Sequence, residues 1–407
     1  MHRRGPARRP RTRLTARQTF VLGAATALGP LSIDLYLPAF PELARELGAS
    51  EAAVQLTLTA CVVGLALGQL VAGPVSDAVG RRVPIAVGLG AWALASFACA
   101  LAPSITTFTV LRLTQGLAGA AGVVVARAVV RDLVSGPELV RSFSKLMLVV
   151  GVVPILAPTL GGLLLERTSW RGLFVVLGVV GAVLTVVVLV GLRESLPVER
   201  RRSGVRRALG SYKALLTDRA FVGAAAVVAL TFSALFVYVS SSSFVLREVF
   251  DLSPGQFGLL FGVNSVGLVV GNQVSGLLAN RWPAAVMLPR AVGLGLLGAV
   301  GVLVAGLTGA LGVLGVVVPL FVIVFSVGMA MPVASSRAMN AHPERAGAAS
   351  ALLGVLQFAV GGTLAPLVGL AGSATVLPLA VLMVACLLGS LLVLRATRGR
   401  DLLPAAA

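Results

Sequence analysis

The chain has 407 residues, 57% of them hydrophobic and only 12% charged, with a formal net charge of +18; soluble domains carry about a quarter charged residues, so an ordinary soluble protein is excluded. No soluble basic face or nucleic-acid module accompanies the positive charge, so it reads as membrane topology and not as nucleic-acid binding. Two histidines, His2 in a basic tail and His342 in a polar loop, leave nothing for a zinc site or a Ser-His or Cys-His nucleophile, so we expect no metal, no cofactor and no enzyme.

Apolar runs of about 20 residues cross about 30 Å of hydrocarbon as helix. Twelve such runs follow one another, at 18–40, 53–76, 83–102, 105–130, 142–165, 170–192, 219–246, 255–279, 284–307, 311–335, 346–370 and 374–394. The fold class is therefore an all-α membrane protein of twelve transmembrane helices. The basic start followed by an apolar run resembles a signal peptide, but the run continues through Asp34 to Phe40, so an uncleaved first helix is expected. Cys61, Cys99 and Cys386 are widely separated, each inside an apolar run, and are expected as small core residues.

Lys and Arg alternate between the loops. One side holds the tail RRGPARRPRTR, Arg81, Arg82, Arg131, Arg141, Lys145, the linker RRSGVRR, Arg281, Arg337, Arg345 and the end RATRGR; the other holds Arg45, Arg167, Arg171 and Arg247. The positive-inside rule then places the chain in the plasma membrane with both termini cytoplasmic and the basic loops on anionic lipid heads.

The first span carries LSIDLYLPAF, residues 31–40, in which Asp34 and Pro38 interrupt an apolar run. An ionised Asp near a helix centre costs about 2.5 to 3.5 kcal/mol on insertion scales, so Asp34 is a functional carboxylate, an interfacial acid or a cap where Pro38 breaks the helix.

The loop after the second span reads GPVSDAVGRR, with Gly73, Asp77, Gly80, Arg81 and Arg82. Its glycines permit close helix approach and a tight turn, and its charges can make contacts that lock the cytoplasmic side and break when it opens. A positive-inside anchor with an incidental acid is the plainer reading. The pattern G-x-x-x-D-x-x-G-R-R at this loop resembles the signature of the major facilitator superfamily, which implies two pseudo-symmetric six-helix bundles.

The fourth span contains LRLTQGLAGA, with Arg112, Gln115, Gly116 and Gly119 broadly on one helical side. Arg112 is a functional candidate or an interfacial snorkeller, whereas Arg127, one turn before Arg131, reads as a snorkeller. The fifth span contains GVVPILAPTLGG, with Pro154, Pro158, Gly161 and Gly162. It resembles the antiporter motif of drug exporters, although Ala157 replaces the usual glycine before the second proline. Together LSIDLYLPAF, VVRDL at 129–133 and LAPTLGG resemble the bicyclomycin-resistance branch (Bcr/CflA) of the drug:proton antiporters. Of the remaining polar groups, Tyr36, Gln115, Tyr238, Asn264 and Gln357 are candidates for a substrate cavity; interhelical hydrogen bonding is the alternative.

The polar stretch from Arg193 to Arg219 divides six spans from six, and the halves echo each other. GQLVAGPVSD at 68–77 resembles GNQVSGLLAN at 271–280, with Asn280 in place of Asp77, and LAPTLG at 156–161 resembles LAPLVG at 364–369. Parallel repeats place a transport site at their interface. The expected organisation is a basic tail 1–17, bundles at 18–193 and 219–396, a linker 194–218 and a tail 397–407.

Asp34 lies about six residues from the outer end of its span and Arg112 a similar distance into its own, so both are expected roughly 9 to 10 Å below the outer surface, where they can meet. A change of cavity shape that altered water access to Asp34 or its distance from Arg112 would load or release a proton. The expected function is proton-driven export of small, mainly apolar drugs by a monomer, with protons as the coupling ion. A metabolite carrier on the same fold and a non-transporting receptor or scaffold are the alternatives.

Overall fold

The computed structural model describes residues 14–134, 137–201, 212–279, 281–340, 346–372 and 375–397. The basic N-terminal tail up to Arg13, residues 202–211 of the linker, Asn280, His342, Arg345 and the chain beyond Thr397 lie outside the described residues.

Among the described residues, twelve helices are long and apolar enough to span a membrane. They are α1 (Ala16–Asp34), α2 (Glu51–Val79), α3 (Arg82–Ala100), α4 (Ile105–Leu133), α5 (Pro137–Leu165) and α6 (Trp170–Gly191). The second half repeats the arrangement with α7 (Arg219–Phe244), α8 (Pro254–Leu278), α9 (Ala284–Thr308), α10 (Gly312–Asn340), α11 (Ala346–Leu364) and α12 (Leu377–Thr397). Both described ends of the chain, together with Arg81, Arg82, Arg131 and Arg337, lie at one face, here called the basic face. At the other, the opposite face, Ser50, Ser104 and Ser253 start α2, α4 and α8, each side chain accepting a bond from the third helical N–H.

The first span departs from a single α-helix to Phe40. Pro38 has no N–H to offer the carbonyl of Asp34, and α1 ends at Asp34. A 3₁₀ turn at Leu37–Ala39 and a short helix Phe40–Glu46 complete the crossing. At the end of the seventh span α7 loosens into a π-turn at Val245–Val249. In the eleventh, α11 stops at Leu364 and resumes as Pro366–Ala371.

The internal repeats occupy matching positions in the two bundles. Gly68 of α2 packs on the backbone carbonyl of Leu117 in α4, and Gly271 of α8 packs on that of Phe325 in α10; neither site has room for a Cβ. The two LAP segments both lie on seams between the bundles, the Pro158 carbonyl against Gly258 of α8 and Gly369 against the main chain of Ala52. Cys61, Cys99 and Cys386 are buried, and none is in a disulfide.

Candidate functional site

The two bundles meet tightly toward the opposite face. Along the α5–α8 seam, Gly162 sits on the carbonyl of Pro254, and a Cβ on Gly258 would lie 2.5 Å from the Pro158 carbonyl. Thr159 Oγ1 donates to the Gly258 carbonyl at 3.0 Å. Pro154, Pro158, Gly161 and Gly162 thus lie on or beside one interface, where missing side chains let backbones touch. Along the α2–α11 seam, Thr59 Oγ1 donates to the Gly362 carbonyl at 3.0 Å, and Gln55 accepts from the Gly369 N–H at 3.2 Å while donating to Ser241 at 3.2 Å. Arg247, in the π-turn, closes the top: its guanidinium grips both carboxylate oxygens of Glu42 at 2.5 and 2.6 Å and the Pro38 carbonyl at 2.5 Å. Sequence reading missed this latch, because Glu42 and Arg247 look like ordinary end-of-helix charges until the halves are docked.

Asp34 sits just beneath this seal, where α1 breaks. Only 6% of it is exposed, and its carboxylate makes no hydrogen bond or ion pair with any described residue. Across the interface it lies within electrostatic range of Tyr238 on α7. The Tyr238 hydroxyl accepts from Asn264 Nδ2 at 3.2 Å, and Asn264 Oδ1 is buried without a partner among the described residues.

Arg112 does not pair with Asp34. Depth brings the two helices together as expected, because Arg112 Nη2 donates to the Ser32 carbonyl at 2.8 Å. Helix phase separates the charges: residues 32 and 36 share one side of α1, and residue 34 is rotated about 200° from each. The guanidinium, fully buried, lies 4.3 Å from the ring centre of Tyr36 and 5.5 Å from that of Phe174, and it bonds Gln115 Oε1. Gln115 Nε2 donates to Ser96 at 2.7 Å, Trp92 Nε1 donates to Ser32 Oγ at 2.9 Å, and the Tyr36 hydroxyl contacts Thr57 Oγ1 at 3.1 Å. A carbonyl dipole, an amide oxygen and two aromatic faces therefore solvate this cation without a carboxylate.

A cavity of about 1040 Å³ lies between α5 of the first bundle and α7, α8, α10 and α11 of the second, on the basic-face side of the seal. It is walled mainly by apolar side chains, including Leu148, Ile155, Phe232 and Leu268, with Lys145, Asn272, Gln273, Ser335 and Gln357 as polar points. Gln357 is at the wall. Tyr36, Gln115, Tyr238 and Asn264 are not among the described lining residues, which corrects the cavity expected from sequence. Arg112 recruits the first two into its own network, and the last two hydrogen-bond to each other inside the second bundle.

At the basic face Arg81 binds Asp77 at 2.6 Å, Asp132 of α4 at 2.9 Å and Ser76 at 2.8 Å. Glu194, past the end of α6, accepts the main-chain N–H groups of Arg81, Arg82, Ser195 and Leu196 at 2.8 to 3.1 Å. Burial pushes its carboxyl up, but these four donors outweigh that and leave it below the ordinary range. Gly80 has φ +106°, and a Cβ there would lie 2.5 Å from Glu194 Oε2. Arg82 reaches the Leu189 carbonyl at 2.5 Å, and a Cβ on Gly73 would make only ordinary contact at 3.7 Å. These bonds bind α2, α3, α4 and α6 within the first bundle and do not bridge the halves. With the cavity on this side of the seal, the expected lock of the cytoplasmic side is not made across the bundles by these described residues in this form.

The family model described as Major Facilitator Superfamily matches residues 22–366. An "Uncharacterized MFS-type transporter YdgK" of Bacillus subtilis is 40% identical over 94% of this chain and 95% of its own length. A "Bicyclomycin resistance protein homolog" of Haemophilus influenzae is 31% identical over 91% of this chain and 93% of its own, and "Multidrug resistance protein D" of Escherichia coli is 31% identical over 84% and 85%. Among solved structures, a bacterial homologue of the human lysosomal transporter Spinster, inward-facing and unoccupied, superposes with a TM-score of 0.76 at 18% identity, covering 97% of this chain and all of that one. A D-xylose-proton symporter gives 0.72 at 15% identity, covering 92% and 96%.

Proposed function

We propose that this chain, which belongs to the major facilitator superfamily of membrane transporters, exports small, mainly apolar antibiotics or other xenobiotics in exchange for protons. The relatives named for bicyclomycin and multidrug resistance support the substrate class. The observation that carries the coupling is Asp34: a carboxyl group enclosed between the bundles, under the seal, with no ionic partner among the described residues.

The basic face is cytoplasmic in this reading, so the structure is the cytoplasm-open form. Substrate enters the cavity between α5, α7, α8, α10 and α11. Parting of the α5–α8 and α2–α11 seams and of the Arg247–Glu42 latch exposes the site to the outside and brings water to Asp34. The carboxyl exchanges its proton with whichever side is open. Occupation by substrate and occupation by a proton then alternate, directly or through the bundle angle. Arg112 acts at one remove, holding α1 through Ser32 so that its break stays at Asp34. Gly73, Asp77, Gly80, Arg81 and Arg82 keep the cytoplasmic ends of the first bundle together as it rocks.

The test is uphill transport in proteoliposomes on an imposed proton gradient, comparing the native chain with Asp34→Asn. The variant is expected to exchange substrate across the membrane and to fail to concentrate it. Uphill transport by the variant would remove Asp34 from coupling, and gradient-driven uptake into the compartment the basic face adjoins would favour a metabolite carrier.

A further inference from the structure

Shape sets an upper size for what the cavity accepts, and charge narrows it further. About 1040 Å³ is enough for a drug-sized molecule. The walls are apolar, and the hydrogen-bonding groups cluster: Asn272 and Gln273 are adjacent on α8, with Gln357 on α11. Primary amides both donate and accept, so they fit a carbonyl, amide or hydroxyl.

The ionisable content is one-sided. Among the described lining residues Lys145 alone carries a charge, and it makes no ion pair with any described residue. The nearby acids are engaged elsewhere. Asp77 and Asp132 are held by Arg81, Glu138 faces Arg141 at 3.8 Å, and Asp34 is enclosed at the seal. An organic cation entering would meet an ammonium and no described carboxylate in the wall, whereas an anion would gain a counter-ion against low-dielectric walls.

We propose that the preferred substrates are amphipathic organic anions: an aromatic or aliphatic body carrying one acidic group, which Lys145 receives, and a carbonyl or hydroxyl read by Asn272, Gln273 and Gln357. This rests on the export reading for its biological sense, but the binding preference does not depend on proton coupling. If coupling holds, a proton moving in and an anion moving out carry charge in the same electrical sense, so the membrane potential assists both.

Fluorescence polarisation on the full chain in nanodiscs of zwitterionic lipid tests the preference without any gradient. The probes are fluorescein and tetramethylrhodamine ethyl ester, which share a xanthene core and differ in the sign of their charge. Fluorescein is expected to bind saturably and about tenfold tighter than the cation, Lys145→Gln to weaken fluorescein about tenfold with no loss for the cation, and Lys145→Arg to restore it. Equal binding of the two dyes, no saturable fluorescein binding, or an unchanged fluorescein affinity in Lys145→Gln would overturn the proposal. An anionic lipid head supplies the same chemistry, so the measurement is repeated with anionic lipid in the nanodisc. Lys145-dependent displacement of fluorescein by that lipid would assign the site to lipid and overturn it too. A chain that shows the dye preference and fails uphill transport refutes the coupling alone, and the reverse result refutes the anion site alone.

Discussion

Arg112 donates to the main-chain carbonyl of Ser32 at 2.8 Å, and this bond ties α4 to α1 on the side of α1 facing away from Asp34. The two buried charges are thus parts of different devices. One is a fixed strut inside the first bundle, and the other stands alone between bundles.

They should therefore respond oppositely to neutralisation. Arg112→Ala leaves the Ser32 carbonyl and Gln115 short of a donor and opens a void beside Tyr36, at a cost of about 2 to 5 kcal/mol. Asp34→Asn removes a carboxylate that has no partner to lose. Thermal unfolding in detergent should show the first variant melting several degrees lower and the second at or above the native temperature. Equal losses in both would mean that Asp34 has a stabilising partner after all.

The latch predicts a shift between forms. Removing the grip on Glu42 with Arg247→Ala weakens the seal and should populate the outward-open form. With the three native cysteines replaced by serine, a cysteine at Thr159 should react severalfold faster with a membrane-impermeant thiol reagent applied at the opposite face. No change in that rate would reduce the latch to a surface ion pair.

Glycine substitutions separate close approach from sequence pattern. Gly162→Ala should cut transport at least tenfold, because the α5–α8 seam on the Pro254 carbonyl cannot close, while the protein still inserts and folds. Gly80→Ala should destabilise, having both an unfavourable φ and the Glu194 carboxylate in the way. Gly73→Ala, in the same loop motif, should be tolerated in both assays.

Glu194 gives a pH signature. Its carboxyl is held below the ordinary range by four main-chain N–H donors, so its contribution to stability is complete above the unfolded-state value near 4.5 and is lost as pH falls through the lower folded-state value. The melting temperature of Glu194→Gln should lie below that of the native chain at neutral pH, and the gap should close on acidification below the normal carboxylate range. A gap that widened there would reverse the sign of the argument.

The number, length and repetition of the helices were legible in sequence because hydrocarbon imposes length and composition on every crossing, and because Gly68 and Gly271 must recur where backbones touch. Depth was legible for Asp34 and Arg112, since rise per residue is fixed. Azimuth was not. The turn at Pro38 and the carbonyl of Ser32 decide which way each group faces, and neither leaves a mark in hydropathy. The partners of Arg81 were half visible, Asp132 being part of VVRDL, whereas Glu194 was hidden because its role uses main-chain donors available to any sequence. Glu42 and Arg247 stand 205 residues apart in different bundles, and only docking of the halves reveals them.

The seams on which Gly162 and Gly369 sit are closed chiefly by backbone against backbone, with few directional bonds. Surfaces of that kind behave as a lubricated bearing: they resist compression but slide and part with little friction, since dispersion contacts exchange gradually where hydrogen bonds must snap. The speed of the cycle would then be set at its rim, by Arg247 releasing Glu42, and not along the length of the seam.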